Sequence, residues 1–194
     1  MREIVTKIYR FEELSEKAQS HALEKYRDIF VSDSFWYEDL LEEYKACLEK
    51  CGFYDAEILF SGFFSQGDGA CFDAQHIDVA EVLNAIIMTD RACIDREFIR
   101  FYTLANHDAI ECDILQTTSR YVHAHTRYIG ADSPFLTEME TKRLEEIIEN
   151  FRLNLCYTIY NRLEAEYQYQ TSDEVLREFF IETECEFYEN GKMV

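Results

Sequence analysis

Proline and glycine are scarce in this sequence, which has one proline, Pro134, and six glycines in 194 residues. Flexible linkers between domains are rich in glycine, serine or proline. No such stretch divides the chain, so we expect a single α+β domain over residues 1–194, a length that supports a well-buried core. The sequence also lacks an apolar run near the roughly 20 residues that span a bilayer, and Met1–Val5 lacks a signal-peptide pattern. We therefore expect a cytoplasmic protein that binds no membrane.

Positive charge is scarce as well, because 19 lysines and arginines stand against 39 aspartates and glutamates, for a formal net charge of −20. A field this negative repels the phosphates of nucleic acids and the anionic headgroups of membranes. Direct nucleic-acid binding is therefore not expected. The same field attracts basic protein surfaces, including the channels of enzymes that handle nucleic acids. The alternative is that the acidity serves only solubility.

The cysteines lack the spacing of a disulfide framework. There are seven of them, an odd number, and no two form a CxxC pair. Scattered cysteines of this kind are typical of a reducing, cytosolic compartment.

Helical periodicity predicts an N-terminal hairpin of two helices, one over residues 15–30 and one from the caps at Ser32–Ser34 to Gly52. The longest predicted helix begins with a capping box of Thr137 and Glu140, and its apolar residues keep a period of about 3.6 residues. Shorter helices are predicted at residues 79–88, 94–104 and 171–183, the last with Thr171 as its expected cap.

Alternating, β-branched and aromatic residues predict the strands. They lie at residues 3–9, within the glycine-rich hairpin 56–78, at 107–117 and 121–130, and in a final strand or tail at 184–194. The fold class that follows is α+β, with one antiparallel sheet of about four to five strands, the helical hairpin and the long C-terminal helix packed on it.

Half of the glycines lie in one short stretch, Ile58–Asp73. The run Gly67-Asp68-Gly69 contains residues that tolerate positive φ, so it predicts the tight turn of a β-hairpin. Its backbone N–H groups could also form an anion-binding nest, although Asp68 would repel a phosphate and no lysine follows at the P-loop spacing. If the loop has a function, Ser65, Gln66 and Asp68 are the side chains that can act.

The histidines and Cys71 are the candidates for a metal site or for a cysteine nucleophile. His123 and His125 have the spacing of one strand face, and Cys71, Asp73 and His76 lie on the other predicted hairpin. Histidines at alternating positions are more often exposed to solvent, so these residues permit a metal site without indicating one. Cys71 with His76 or His123 is the pairing that suits a cysteine nucleophile. We expect no cofactor and no metal, with Cys71, His76, His123 and His125 as the candidates should a metal bind.

Carboxylates along the long predicted helix favour a different kind of contact. Glu138, Glu145 and Glu149 recur at intervals that place them on one side of successive turns, where a line of charges can imitate the phosphates of a nucleic acid. The alternative is that they form an ordinary solvated helix face.

Several segments of the chain resemble a group of small acidic proteins of bacteriophages and prophages that are loosely labelled antitoxin-like. They are Tyr9–Gln19, the motif Phe60–Phe72 with its run Ser-Gln-Gly-Asp-Gly-Ala, and Leu163–Val175 with Glu186–Lys192. The resemblance implies a phage origin and expression in the cytoplasm of an infected bacterium. It implies no catalytic residues, and small acidic phage proteins often block host machinery.

Charge, motif and resemblance together predict a non-enzymatic inhibitor that binds a basic surface of a host protein. The expected target is a defence complex of the CRISPR type or a toxin, bound through an aromatic hairpin tip and possible nucleic-acid mimicry. The expected partner-binding residues are Phe63, Phe64, Ser65, Gln66, Asp68, Glu138, Glu145 and Glu149. Two alternatives stay open. One is a protein that sequesters a nucleotide-like immune signal with Arg100, Arg120 or Arg127, and the other is a metal- or cysteine-dependent enzyme.

Overall fold

The computed structural model of the chain describes residues 1–2, 6–89, 94–117 and 121–194. These residues form two compact units, which we call the terminal unit (Met1–Glu38 with Leu163–Val194) and the central unit (Asp39–Arg162). The expectation of a single domain stays a prediction. Within the described residues, no helix combines the length and the apolar character that crossing a membrane requires.

Helices make up much of the described chain, and the strands between them are short. The helices are α1 (Glu16–Lys25), α2 (Phe35–Lys50), α3 (Val79–Thr89), α4 (Arg96–Ala105), α5 (Glu138–Gln170) and α6 (Asp173–Glu182). The strands are β1 (Ile8–Arg10), β2 (Phe53–Tyr54), β3 (Glu57–Phe60), β4 (Ala70–Asp73), β5 (His76–Ile77), β6 (Glu111–Gln116), β7 (Arg127–Asp132) and β8 (Glu186–Tyr188). They pair antiparallel as β1–β8, β2–β5, β3–β4 and β6–β7. Helices with antiparallel strands confirm the predicted α+β class.

The strands do not form the single larger sheet that the sequence predicted. Each sheet in the described residues has two strands. The edge of β7 shows one reason, because the backbone amides of Ile129 and Ala131 donate to the carboxylates of Glu149 and Glu145 at 3.1 and 3.0 Å. An edge whose donors are already bonded cannot pair with another strand. The long helix α5 is thus packed on β7, as predicted, and it ends the sheet there.

The predicted starts of two helices are confirmed. Ser15 Oγ accepts a hydrogen bond from Ala18 N at 3.3 Å, which satisfies an amide that the first turn of α1 leaves open. At α5, Thr137 N donates to Glu140 Oε2 at 2.8 Å and Glu140 N donates to Thr137 Oγ1 at 3.4 Å, which is the predicted capping box. Because α1 belongs to the terminal unit and most of α2 to the central unit, the predicted helical hairpin stays a prediction.

The start predicted for the last helix is displaced. The N-cap of α6 is Ser172, which accepts a hydrogen bond from Val175 N at 3.3 Å. The Thr171 hydroxyl instead donates to Tyr167 O at 2.8 Å, at the end of α5. Both hydroxyl residues can cap a helix, with serine preferred to threonine, and the Thr171 hydroxyl is used at the end of the preceding helix.

Parts of two predicted strand regions lie outside the described residues. The strand predicted at residues 3–9 includes residues 3–5, which lie outside the described residues. Within the described residues, the strand β1 begins at Ile8. The turn predicted within the second hairpin includes residues 118–120. The pairing of that hairpin is confirmed, because β6 and β7 run antiparallel with Ile114 opposite Ile129.

The core of the terminal unit is a cluster of phenylalanines. Phe11, Phe180 and Phe187 are at most 2 % exposed, and their ring centroids lie 5.2 to 5.9 Å apart. Tilted and edge contacts at this separation stabilise the core beyond the burial itself. β1 and β8 pair beside this cluster, with Tyr9 opposite Phe187.

The core of the central unit combines strands with helices. Phe53 of β2 and Phe72 of β4 are fully buried, with ring centroids 5.1 Å apart, and Phe101 of α4 is fully buried as well. After α2 the chain turns at Gly52, which has a φ of 86° and where a Cβ would lie 2.6 Å from Asp78 O. The predicted end of α2 at Gly52 is therefore confirmed, because L side chains rarely adopt this conformation.

The prediction of a tight turn at Gly67-Asp68-Gly69 is wrong. β3 and β4 do form a hairpin, but residues 61–69 connect them as a long loop, and neither Gly67 nor Gly69 has a positive φ. A Cβ on Gly69 would lie 2.6 Å from His123 Cβ, and a Cβ on Gly67 would lie 3.1 Å from Tyr121 Cδ1. Gly69 is therefore required for the close approach of His123, whereas a Cβ on Gly67 would need only a small shift of the exposed Tyr121 ring, and neither glycine serves turn geometry.

Gly69→Ala is expected to lower the unfolding free energy by about 1–3 kcal/mol, because its Cβ collides with His123 in packed surroundings. Gly62→Ala is the matched control in the same loop. Its Cβ would lie 3.4 Å from the Asp68 carboxylate, an ordinary contact, so the change should stay below about 0.5 kcal/mol. Urea unfolding followed by circular dichroism measures both variants. Equal stability of the two would contradict the packing role of Gly69.

Candidate functional site

Residues 61–69, which we call the glycine loop, are held in shape by Asp68. Asp68 Oδ2 accepts hydrogen bonds from the backbone amides of Phe64 and Ser65 at 3.0 and 2.7 Å. The backbone of Asp68 adds a bond, since its amide donates to Ser65 O at 3.0 Å. Asp68 therefore organises the loop from within, and one of its carboxylate oxygens is fully used for that purpose.

Ser61 fastens the glycine loop to the segment before β7. Ser61 Oγ accepts a hydrogen bond from Gly69 N at 3.2 Å and donates to Val122 O at 3.1 Å. One hydroxyl thus closes the loop across its base and connects it to the chain that packs against Gly69. A loop bonded at both its tip and its base keeps a defined shape.

The predicted partner-binding residues of the loop differ in exposure. Phe64 is 84 % exposed, and Ser65 and Gln66 are exposed as well. Phe63 is half-buried, with its ring centroid 5.5 Å from that of Tyr160. The loop thus presents Phe64 at the surface, while Phe63 packs against α5.

A pocket lies beside the glycine loop, within the central unit. Its volume is about 440 Å³, and its walls are the loop, residues 123–125 and helix α5. Aromatic rings line much of it, namely those of His123, His125, Tyr157 and Tyr160. Its polar groups come from Gln66, Asp68 and Asn161.

The sequence predicted that His123 and His125 lie on one face of a strand, and this prediction is wrong. They belong to a 3-10 turn, with His123 as the N-cap of Ala124–Thr126, directly before β7. His123 Nδ1 accepts a hydrogen bond from His125 N at 3.2 Å, and His125 Nε2 lies 2.9 Å from the Tyr157 hydroxyl. Both residues still line one pocket, but they do so from a turn and not from a strand.

The candidate metal ligands are not brought together. His76 lies on β5 and stacks on Tyr54, with ring centroids 5.8 Å apart. Cys71 is fully buried, and its sulfur lies 3.9 Å from the Thr126 hydroxyl, which donates to His123 O at 2.7 Å. In the part of the chain that the structure describes, no three His, Cys, Asp or Glu side chains are placed to hold one metal ion.

Burial makes the inner thiols unreactive. It raises the pKa of Cys71 above its ordinary value, and it raises the pKa of Cys112 and of Cys156 to about 12. The thiolate is the nucleophilic form of cysteine, so these thiols are inert near neutral pH. For Cys71 the described residues supply a hydroxyl partner and no histidine base, so a cysteine nucleophile has little support there.

The guanidinium of Arg152 on α5 is fully buried, and the sequence alone did not single it out. Its Nη2 donates to Ala124 O at 2.7 Å and to Arg127 O at 2.8 Å. It also pairs with Glu149, through Nη2 at 2.6 Å and Nε at 2.8 Å. Burial alone would lower the pKa of Arg152, but the hydrogen bonds and charge of Glu149 outweigh it, and the pKa lies above its ordinary value. The guanidinium therefore stays charged and ties the 3-10 turn and β7 to α5.

The sequence does contain a signal for this contact. Arg152 lies midway between Ile148 and Cys156 on the buried stripe of α5. A charged residue at an apolar position of an amphipathic helix indicates a buried and paired polar group. Glu149 stands one turn before it and is the paired carboxylate.

The arginines proposed for an anionic ligand are engaged elsewhere. Arg127 forms a bidentate pair with Asp73, at 2.6 and 2.9 Å, and only 8 % of its side chain is exposed. Arg100 pairs with Glu140. Arg120 lies outside the described residues. Neither of the two described arginines lines the pocket, so neither is available there for a nucleotide phosphate.

The three carboxylates predicted on the long helix do not form one exposed line. Glu145 and Glu149 are half-buried and accept the β7 amides. Glu138 is exposed and pairs with Lys142 at 2.6 Å. Two of these three carboxylates therefore have a structural role within the chain.

Arg152→Met is expected to lower the unfolding free energy by about 3–5 kcal/mol, because it removes one partner of a buried, hydrogen-bonded pair. Arg143→Met is the control on the same helix. Arg143 pairs with Asp95 and Glu97 at the surface, and its loss should change the stability by less than about 1 kcal/mol. Urea unfolding compares the two variants. Similar losses would contradict a special role for Arg152.

A thiol reagent at about pH 8 should modify Cys47 in the folded protein and leave Cys71, Cys112 and Cys156 unmodified. Cys47 is exposed, whereas the other three are buried, and pH 8 lies far below the pKa of about 12 of Cys112 and Cys156. Peptide mapping by mass spectrometry, before and after unfolding in urea, measures the labelling. If Cys71 were modified as fast as Cys47, the result would support the hypothesis that Cys71 is a nucleophile.

Comparison with known proteins bears on the central unit above all. No curated protein and no solved structure matches the chain. The family described as a domain of unknown function, DUF8835, matches residues 36–173. The matched region contains the glycine loop, the pocket, Arg152 and all of α5. Because this match covers well over half of its length, the chain belongs to the DUF8835 family.

Proposed function

We propose that this protein is a phage-encoded, non-enzymatic inhibitor that binds a basic surface of a host protein in the bacterial cytoplasm. The target class is a defence complex of the CRISPR type or a toxin. The observation that carries the proposal is the glycine loop, which presents Phe64, 84 % exposed, on a backbone held by Asp68 and Ser61.

An exposed aromatic ring on an ordered loop is well suited to anchor a protein interface. Burying the ring of Phe64 removes a large apolar area from water, and a loop that is already ordered loses little conformational entropy on binding. Tyr121 lies against Gly67 and is 66 % exposed, so it adds a second aromatic side chain to the same surface. Gln66 contributes a polar group beside them.

The net charge of −20 favours a basic partner. Such a field raises the association rate with a positively charged surface, and salt weakens the effect. Glu145 and Glu149 support β7, so the contact depends on the overall field and the loop more than on a line of phosphate-like charges. Among the three predicted carboxylates, Glu138 is the one that a partner can reach for mimicry.

The phage origin is supported by the resemblance of the motif Phe60–Phe72, which spans the glycine loop and the adjoining ends of β3 and β4. The two alternative functions have less support. A nucleotide-sequestering protein needs cations at the loop, and Arg127 is occupied by Asp73. A cysteine enzyme needs an accessible thiolate, and Cys71 is buried.

Phe64→Ala is expected to weaken binding to the partner by about tenfold or more, because it removes the central anchor of the interface. The wild-type chain and its variants are immobilised and exposed to a bacterial lysate, and the retained proteins are identified and purified. Titration of the purified partner at low and high salt then gives the affinities. Phe135→Ala is the control, since Phe135 is another exposed phenylalanine, at 59 %.

A basic protein retained by the wild type and by Phe135→Ala, but not by Phe64→Ala, is the expected result. Equal retention by both variants would contradict the role of the glycine loop. An affinity that does not change with salt would contradict the electrostatic part of the proposal.

A further inference from the structure

We infer that the pocket beside the glycine loop binds the guanidinium group of an arginine side chain on the partner. The inference rests on the proposed function in one respect, namely that the partner surface is basic. It adds a binding site and the chemical group that this site recognises.

The rings of the pocket suit a flat cation. The ring centroids of His123 and His125 lie 6.1 Å apart and those of His125 and Tyr157 lie 6.3 Å apart, each pair inclined at 66°. Tyr160 lines the same space from α5. The faces of the two tyrosine rings carry partial negative charge and attract a guanidinium within about 6 Å of the ring centroid, and the imidazole rings add flat surfaces on which a guanidinium can stack. Several rings at different angles can therefore contact one planar group on its face and its edge.

Oxygen acceptors complete the lining. Asp68 uses Oδ2 for the loop amides, and its Oδ1 makes no hydrogen bond within the described residues. The side-chain amides of Gln66 and Asn161 also line the pocket and make no hydrogen bond to any described residue. A guanidinium presents five N–H donors in a planar fork, and the carboxylate and amide oxygens of the pocket can accept hydrogen bonds from them.

The charge of the pocket lining favours a cationic ligand over a neutral ligand of similar shape. The side chains that line the pocket include Asp68 and no lysine or arginine, within the ranges that the structure describes. The nearest buried arginines are neutralised, Arg127 by Asp73 and Arg152 by Glu149. Together with the net charge of −20, this lining attracts an arginine and repels a phosphate.

The position of the pocket matches that of the proposed anchor. Gln66 and Asp68 line the pocket, and Phe64 stands on the same loop. A protein that covers Phe64 therefore brings its own side chains to the pocket mouth. Arginine is the cationic side chain most common at the centre of protein interfaces, because it pairs and stacks at once.

The test uses Nα-acetyl-L-arginine amide as the probe and the isotope-labelled full chain as the receptor. Backbone amide resonances are followed by NMR at neutral pH. We expect saturable shifts at Gly69 and Gln66, which border the pocket. The matched probe is Nα-acetyl-citrulline amide, which has nearly the same shape without the charge, and it should bind at least about tenfold more weakly.

Three variants locate the site. Tyr157→Leu removes a ring and keeps apolar volume, and it should weaken the arginine probe about fivefold. Tyr128→Leu is its control, because Tyr128 is also 46 % exposed but does not line the pocket. Asp68→Asn keeps an oxygen for the loop amides and removes the charge, so it should weaken arginine and leave citrulline unchanged.

Equal affinity for arginine and citrulline would overturn the inference. It would also be overturned by the absence of saturable shifts at Gly69 and Gln66, or by shifts over the whole acidic surface that Tyr157→Leu leaves unchanged. The probe needs no host protein, so the two proposals can fail separately. Retention of a partner through Phe64 with no arginine binding rejects the pocket alone, and arginine binding with no retained basic protein rejects the proposed function alone.

Discussion

The buried guanidinium of Arg152 is the interaction on which the central unit depends. It sits among apolar side chains of α5 and is matched by the carbonyls of Ala124 and Arg127 and by the carboxylate of Glu149. Glu149 in turn accepts the amide of Ile129. One network therefore joins the long helix, the 3-10 turn and the edge of β7. Since the turn and the helix are walls of the pocket, the network also determines the shape of the site.

The glycine loop depends on close contact in the same region. Gly69 lets the backbone and Cβ of His123 approach the loop to a distance that a side chain would forbid. Ser61 bonds both sides of that contact, and Asp68 arranges the rest of the loop. The motif of serine, glycine and aspartate is therefore explained by packing and hydrogen bonding. The same arrangement leaves Phe64 as the large apolar side chain that the loop presents at the surface.

The Asp68 carboxylate, the aromatic rings of the pocket and the exposed Phe64 ring all belong to the glycine loop or to the pocket beside it. Glu145 and Glu149, which the sequence predicted to face a partner, bond to β7. In the proposed function, a partner meets Phe64 and the lining of the pocket. A cationic side chain is the group that the rings, the Asp68 carboxylate and the overall charge favour together. In the proposed function, the electrostatic attraction that composition predicts acts at this place on the molecule.

The sequence by itself determined the features that depend on neighbours within a few residues. The caps at Ser15 and at Thr137 with Glu140, the end of α2 at Gly52 and the α+β class follow from such local patterns. Only the tertiary structure decided which glycines need close approach, how far each sheet extends and that the two pocket histidines lie in a turn. Each of these depends on contacts between distant segments, such as Gly69 with His123 and the Ile129 amide with the Glu149 carboxylate. Local periodicity carries no information about such partners, because it is the packed chain that brings them together.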